Sequence, residues 1–483
     1  MVVVPPGQRE AADFLARLTG GGVTQTHISA VFLGAHEALK LKKAVDLGFL
    51  DFTRLEDRER LVKREYELNA PHAPQLYLGV EKLTRGPEGL RFGGEGAAVE
   101  WVLRMRRLPA DAFLCERPFE PALLDPLADA VVSLHAATPR REGGGDMTGV
   151  ITGNREAGLT AGLPRQDVQR WSQAALALHD PLRPWLAARA RDGFLRRCHG
   201  DLHLGNFCLM EGRPTPFDAL EFDEALATID TGYDLAFLVM DLAMRHGRGP
   251  ANRVLNRYIA RTGDVALLRG LPLWLSLRAF IRAHVLARTG GDASRLMAAA
   301  LDWLEPAPPP VLVAIGGLPG TGKTTVGRRL AAALGPSPGA VQLRSDEIRK
   351  RLHGVPPEER LPATAYAPRE SARVFAALRD GARLALEAGR SVVADGAYLA
   401  AAERDAIAAV TPRFHGFWLE APLDILRARV ASRTGDASDA DVAVLEALAG
   451  RDPGVIDWTR LDVTSTAGAT ACKMLDLLPY GPP

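Results

Sequence analysis

The stretch RCHGDLHLGNFCLM, residues 197–210, sets His199, Asp201, His203 and Asn206 between apolar residues. Two readings compete. Gly200 and Gly205 mark a turn whose polar side chains cap local backbone, or the segment is a loop in which one carboxylate orients an acceptor hydroxyl and an amide five residues later holds Mg2+. The neighbours decide between them. Downstream, an apolar strand-like segment runs to TPFDALEFDE and places a second carboxylate, Asp218, within reach of a short hairpin.

Loops patterned H-x-D-x-x-x-x-N, followed by an aspartate at a strand end, serve protein-kinase-like enzymes. His199, Asp201 and Asn206 fit the loop, and Asp218 fits the later aspartate. Chemistry explains the residue types: Asp201 accepts or orients the hydroxyl proton, while Asn206 and Asp218 ligate Mg2+. Such a site also needs a lysine on an N-terminal strand and a helix glutamate to hold it. In EALKLKKAV, residues 37–45, alternation puts Lys40 and Lys42 on one strand face and Leu39 and Leu41 on the other. Lys42 is the preferred phosphate lysine, with Lys40 the alternative. In VKREYELN, residues 62–69, Glu65 is the better partner and Glu67 the second choice.

The first 300 or so residues resemble the aminoglycoside phosphotransferase family through HGDLHLGN. THISAVFLGAHEALKLKKAVDLGFLDF, APQLYLGV and FDALEFDEALATIDTGYDLAFLVMDL further resemble bacterial fusions of such a domain with an ATP-binding domain. That resemblance implies an N-lobe sheet, a helical C-lobe and phosphorylation of a small alcohol, a class that includes choline and sugars as well as antibiotics.

With 483 residues the chain has room for two or three domains, each with its own core. It is 47% hydrophobic and 24% charged, as soluble globular proteins are, and its formal net charge of +1 gives no broad field for nucleic acid or membrane. Cys115, Cys198, Cys208 and Cys472 show no CxxC spacing, which argues against zinc or a disulfide framework and for a reducing, cytoplasmic compartment. MVVVPPGQRE lacks the pattern of a signal peptide, and no apolar run is long enough to span a bilayer.

EPAPPP, residues 305–310, favours an extended, semi-rigid spacer. The expected architecture is an α+β protein-kinase-like bilobal domain over 1–304, with an N-lobe to about residue 110 and a helical C-lobe over about 111–304. An α/β P-loop NTPase domain with a parallel sheet follows over 311–483. Its signature is GLPGTGKT, residues 317–324. Gly317, Gly320 and Gly322 let backbone N–H groups close on phosphate, Lys323 reaches the β/γ oxygens, and Thr324, with Thr325 beside it, offers a hydroxyl to Mg2+.

This half resembles the gluconate-kinase, zeta-toxin and chloramphenicol-phosphotransferase group. The resemblance implies that Asp346 of LRSDEIRKRL orients an acceptor hydroxyl and Arg349 grips the substrate. In SVVADGAYL, residues 391–399, an apolar strand ends at Asp395, expected to be a metal-water or acceptor contact. LDILRARVASRTGDASDA resembles a lid in which Arg429 and Arg433 cover the phosphoryl group. The cofactors expected are ATP or GTP with Mg2+, and the partner is a small-molecule hydroxyl acceptor. The alternative is that the P-loop half is a nucleotide-dependent regulatory switch, with transfer confined to the first half.

A polycationic acceptor needs an acidic pocket. Glu221, Asp223, Asp230 and Asp234 follow the metal aspartate, yet LRAFIRAHVLAR carries Arg278 and Arg282 one turn apart. If those arginines line the pocket, they favour an anionic acceptor; otherwise they belong to a solvated helix face. Oligomeric state is left open.

Overall fold

The computed structural model describes residues 4–46, 51–143, 145–433 and 437–478. Fifteen strands are assigned among them: β1 (Val23–Gln25), β2 (Ser29–Leu33), β3 (Glu37–Lys42), β4 (Tyr77–Gly86), β5 (Gly89–Phe92), β6 (Ala98–Arg106), β7 (Leu195–Arg197), β8 (Phe207–Met210), β9 (Arg213–Pro216), β10 (Thr228–Asp230), β11 (Leu312–Gly316), β12 (Val341–Arg344), β13 (Val392–Asp395), β14 (Phe414–Glu420) and β15 (Thr459–Asp462). The helices to residue 302 are α1 (Arg9–Thr19), α2 (Leu55–Asn69), α3 (Leu124–Ala137), α4 (Thr148–Thr160), α5 (Arg165–His179), α6 (Arg183–Arg191), α7 (Glu224–Ala227), α8 (Thr231–His246), α9 (Arg248–Thr262), α10 (Leu271–Arg288) and α11 (Ser294–Asp302). Beyond it come α12 (Lys323–Ala333), α13 (Ser345–Leu352), α14 (Pro368–Glu387), α15 (Ala401–Ala408) and α16 (Leu423–Ala431).

Two compact units emerge, and they do not part at the Pro-rich run. The first comprises residues 1–119, 133–145 and 189–234; the second comprises 120–132, 146–188 and 235–483. Helical segments expected to complete the kinase-like half thus share a compact unit with the P-loop sheet. Residues 305–310 join parts of that second unit.

In the first unit an antiparallel sheet runs in the order β1-β2-β3-β6-β4-β5. Alternation along β3 determines what each face does. Leu39 and Leu41 join Leu15, Phe32 and Val102 in an apolar cluster. The opposite face of β3 carries Lys40 and Lys42 toward α2, whose Val62 packs with Tyr77, Leu103 and Met210 in a second cluster. That second cluster binds the β8–β9 hairpin to the sheet, and so fixes the loop before the hairpin.

In the second unit the P-loop sheet is wholly parallel, in the order β12-β13-β11-β14-β15. Its central strand β11 is buried along its whole length, as a strand covered on both faces should be. Val313 and Ile315 pack on Val326 and Leu330 of α12; such fully buried side chains each contribute about 2 kcal/mol. Among the helical segments, Trp171 stacks on Phe280 at 3.6 Å. No described helix is long and apolar enough to cross a membrane.

Candidate active sites

The first unit assembles Lys40, Lys42, Glu65, Asp201, Asn206 and Asp218. Lys40 Nζ lies 2.7 Å from Glu65 Oε1 and 2.7 Å from Asp218 Oδ1. Lys42 sits deeper: its ammonium bonds Glu65 Oε2 at 2.7 Å and also Glu221. β3 brings Lys40 to the half-exposed Asp218 and buries Lys42 against a second carboxylate, Glu221. Glu65, not Glu67, is the partner, and it serves both lysines; Glu67 pairs with Arg64 at the surface.

Burial alone would lower the Lys40 ammonium, but Asp218, Glu65 and Glu221 together raise it well above its ordinary value. Burial likewise opposes, and Glu221 and Glu65 overcome, the shift of Lys42 upward. For Glu65, burial pushes up while the two ammonium groups pull down to about 2. Burial raises Glu221 despite Lys42.

Asp218 adopts φ +61°, a left-handed conformation unusual outside glycine. The local structure holds it there: its N–H donates to the Tyr77 hydroxyl at 3.0 Å, and the Ala219 N–H donates to Asn69 Oδ1 at 2.9 Å. Strain of this kind clusters at functional sites. In the loop, Asn206 Nδ2 donates to the Asp201 carboxylate at 3.0 Å and to its carbonyl at 2.9 Å. His199 Nε2 donates to the Phe217 carbonyl at 2.9 Å, fixing the residue before Asp218. Asp201 and Asp218 keep side chains 44% and 41% exposed, so both carboxylates are open to a ligand.

The acids after Asp218 are each engaged with protein groups. Glu221 holds Lys42. Asp223 caps α7 by accepting from Ala225 and Leu226 N–H. Asp230 pairs with Arg189 at 2.7 and 2.9 Å. Asp234, fully buried, accepts from the His199 and Gly200 N–H groups and bonds His135 Nε2 at 3.1 Å. It braces the loop from behind, a role the sequence left hidden among acids of one sign. His135, Cys198 and Asp234 also bring ligand-type atoms within 4.8 Å of one another. Their contacts are with protein groups, Cys198 with the Ile229 carbonyl included, so they fit a hydrogen-bonded brace better than a metal centre.

The second unit assembles the P-loop centre. Gly317 and Gly320 take φ +134° and +87°. A Cβ on either would come 2.5 Å from the Leu419 carbonyl oxygen or 2.8 Å from that of Leu426. At these two positions the positive φ and the close approach of β14 and α16 both require glycine, and the loop's backbone N–H groups are of the kind that close on phosphate. Lys323 Nζ donates to the Gly317 and Leu318 carbonyls at 2.9 and 3.0 Å. Thr324 Oγ1 donates to Asp395 Oδ2 at 2.7 Å, and Thr325 is exposed on the first turn of α12. Desolvation lowers Lys323, against Asp395 and Asp346 and with Arg433 and Arg344; Asp395 is raised by burial despite Arg344 and Lys323. Hydroxyl, carboxylate and cradle fit a Mg-nucleotide.

The arginines divide. Arg433 stands close enough to Lys323 to depress it, and donates to the Ala440 carbonyl. Arg429 donates to the Val463 carbonyl at 2.9 Å and the Gly320 carbonyl at 3.4 Å, which makes it a brace on the loop. Arg349 donates to the Ala365 carbonyl at 2.6 Å, with its guanidinium 4.6 Å from the Tyr366 ring. Asp346 is half-buried at the start of α13. Asp439, missed in the sequence, bonds Lys350 at 2.7 Å and the Tyr366 hydroxyl at 2.6 Å. Thr434, Gly435 and Asp436 of the expected lid lie outside the described residues. Arg278 is buried with its guanidinium 4.8 Å from the Phe237 ring, and Arg282 is half-buried one turn on. Both belong to the second unit, whereas Asp201 and Asp218 belong to the first.

A family model described as an AAA domain matches residues 312–451. Uncharacterized protein Rv2004c of Mycobacterium tuberculosis is 30% identical over 490 residues, covering 92% of this chain and 92% of its own length. The chain belongs to the Rv2004c family. Two solved structures each resemble part of this member of the Rv2004c family. A microcompartment-associated aminopropanol kinase covers 61% of it and 95% of the kinase, at 14% identity and a TM-score of 0.40. A sugar kinase from Janibacter sp. HTCC2649 covers 36% of it and 97% of the kinase, at 20% identity and a TM-score of 0.28. In this Rv2004c relative the matched AAA domain carries the assembled P-loop residues, and the first unit carries the assembled Lys40, Glu65, Asp201, Asn206 and Asp218.

Proposed function

We propose that the chain is a bifunctional, cytoplasmic small-molecule kinase using ATP, with GTP as the alternative donor, at two phosphoryl-transfer centres. In this reading the functional parts are residues 1–304, protein-kinase-like, and 311–483, the P-loop kinase, with 305–310 between them, although the compact units divide the chain elsewhere. In the first centre Asp201 orients the acceptor hydroxyl and takes its proton as the γ-phosphoryl group transfers. Lys40 holds the phosphates and Glu65 holds Lys40. Asn206 and Asp218 are the residues that would hold Mg2+, which when bound neutralises charge on the transferring group. In the second centre Lys323 and the loop amides hold phosphate, Thr324 and Asp395 form the metal side, Asp346 orients an acceptor hydroxyl and Arg433 covers the phosphoryl group. The observation that carries the reading is Lys40 bridging Glu65 and Asp218, which unites a strand, a helix and a post-hairpin aspartate in one centre.

Engagement of Glu221, Asp223, Asp230 and Asp234 with protein partners favours an acceptor that is not a polycation. A second reading, in which the P-loop part is a nucleotide-dependent switch, draws support from the contacts of Arg349 and Arg429 with protein carbonyls. A metabolite screen with labelled ATP on the whole protein, Asp201→Asn and Lys323→Ala separates the two. Two labelled products, each lost in one variant, are expected; a single product lost in Asp201→Asn and altered in rate by Lys323→Ala leaves the switch, while a single product untouched by Lys323→Ala, or none in any condition, overturns both.

A further inference from the structure

Strand β12 is the edge of the P-loop sheet, and an edge strand exposes backbone groups that need partners. Here two asparagines on one face of α9 stand in for a sixth strand. Asn256 Oδ1 accepts from the Gln342 N–H at 2.7 Å, and its Nδ2 donates to the Ala340 carbonyl at 3.2 Å. Asn252 Nδ2 donates to the same carbonyl at 2.9 Å, and Asn256 Nδ2 bonds Asn252 Oδ1 at 3.0 Å. Both asparagines are buried. Arg257 pins α9 from its other side through Asp129 at 2.9 and 2.7 Å.

The strand residue held by Asn256 also reaches the phosphate site. Gln342, itself buried, turns its Nε2 to the Thr324 carbonyl at 3.2 Å. Room for that side chain depends on Gly327 of α12, where a Cβ would stand 2.6 Å from Nε2. Thr324 is the residue whose hydroxyl meets Asp395. A continuous set of contacts therefore runs from α9 through β12 to the first turn of the P-loop helix.

We infer that Asn256 is a positioning residue for the P-loop centre, holding Gln342 in the register from which Gln342 fixes Thr324 on the metal side of the nucleotide. The inference rests on the P-loop being a Mg-nucleotide site. It makes the helical segment around Asn256 part of that centre, so residues 311–483 alone lack one of its supports. Groups that orient a metal-side residue typically change metal affinity or activity by about tenfold or more when removed.

The test uses the full chain carrying Lys40→Ala, so that the first centre contributes little to nucleotide binding, and titrates ATP with Mg2+ and with EDTA while recording Tm. Gln342→Met keeps side-chain length and removes the donor; it is expected to weaken ATP binding about tenfold in Mg2+ and little in EDTA. Asn256→Leu is expected to do the same. If Asn256→Leu fails to fold, Gln342→Met decides. Unchanged Mg-ATP affinity in folded variants overturns the inference, as does an equal loss with and without Mg2+, which a purely structural role would give. Unchanged binding in Lys323→Ala overturns instead the reading of the P-loop as a nucleotide site.

Discussion

The two centres hold a lysine ready for phosphate in opposite ways. In the first unit Lys40 is surrounded by carboxylates, two of them at 2.7 Å, and its charge is reinforced. In the second unit Lys323 rests on two backbone carbonyls, and desolvation weakens its charge. On the proposed reading, a nucleotide entering the first centre exchanges with a side-chain counter-ion, Asp218, and one entering the second replaces the backbone dipoles that hold Lys323. Side-chain ion pairs can be deleted one at a time, whereas the backbone cradle answers chiefly to glycine and to what supports the loop.

The sharpest break in this comparison is chemical. Asp201→Asn is expected to lower transfer at the first centre about a thousandfold while leaving Mg-nucleotide affinity at the P-loop unchanged; Lys323→Ala should do the reverse. Single-turnover assays with nucleotide titrations on the same preparations check both, and loss of both binding events in a folded variant contradicts the two-centre arrangement.

Next in size is the division of labour between the two lysines. Lys40→Met should cut first-centre turnover about a hundredfold with a modest cost in stability. Lys42→Met, which leaves Glu221 buried without its ammonium, should cost about 3 kcal/mol in a denaturant titration. Equal effects of the two changes on turnover would return Lys42 to contention.

Acid should act on the two units with opposite sign. Glu65 titrates near 2 in the fold against an ordinary 4.5, so its ion pairs contribute stability that is whole above the ordinary value and lost as pH falls toward 2. Asp395 is raised above its ordinary 3.8, so its burial penalty is relieved as pH falls through the raised value and is gone once pH is below 3.8. Unfolding followed from pH 6 to pH 2 should therefore show an acid-labile component that Glu65→Gln flattens and Asp395→Asn does not.

The smallest effect concerns the acids after Asp218. Asp223→Ala should cost about 1 kcal/mol through loss of the α7 cap, with the acceptor KM unchanged; a raised KM would restore Asp223 to an acceptor pocket.

Much of this was legible because it is local. The spacing of His199, Asp201 and Asn206, and the glycines before Lys323 and Thr324, are short-range patterns whose geometry the backbone itself enforces. The different surroundings of Lys40 and Lys42 were not legible, since alternation puts both on one face, Glu65 of α2 bonds both, and only the segment after the β8–β9 hairpin sets Asp218 against Lys40 and Glu221 against Lys42. Asp234 reads as one acid among four until the fold brings it behind Gly200. The partition of the chain was the least visible: EPAPPP advertises a boundary, whereas Asn252 and Asn256, one turn apart on α9, give no local sign that a strand far downstream needs them.

That distance has a consequence for how the protein is made. Asn256 precedes Gln342 by 86 residues, so at about 5–20 residues per second the ribosome delivers α9 roughly 4–17 s before the strand it covers. The sheet edge is born with its cover already synthesised, and a reversed gene order would leave that edge open to other nascent chains for as long.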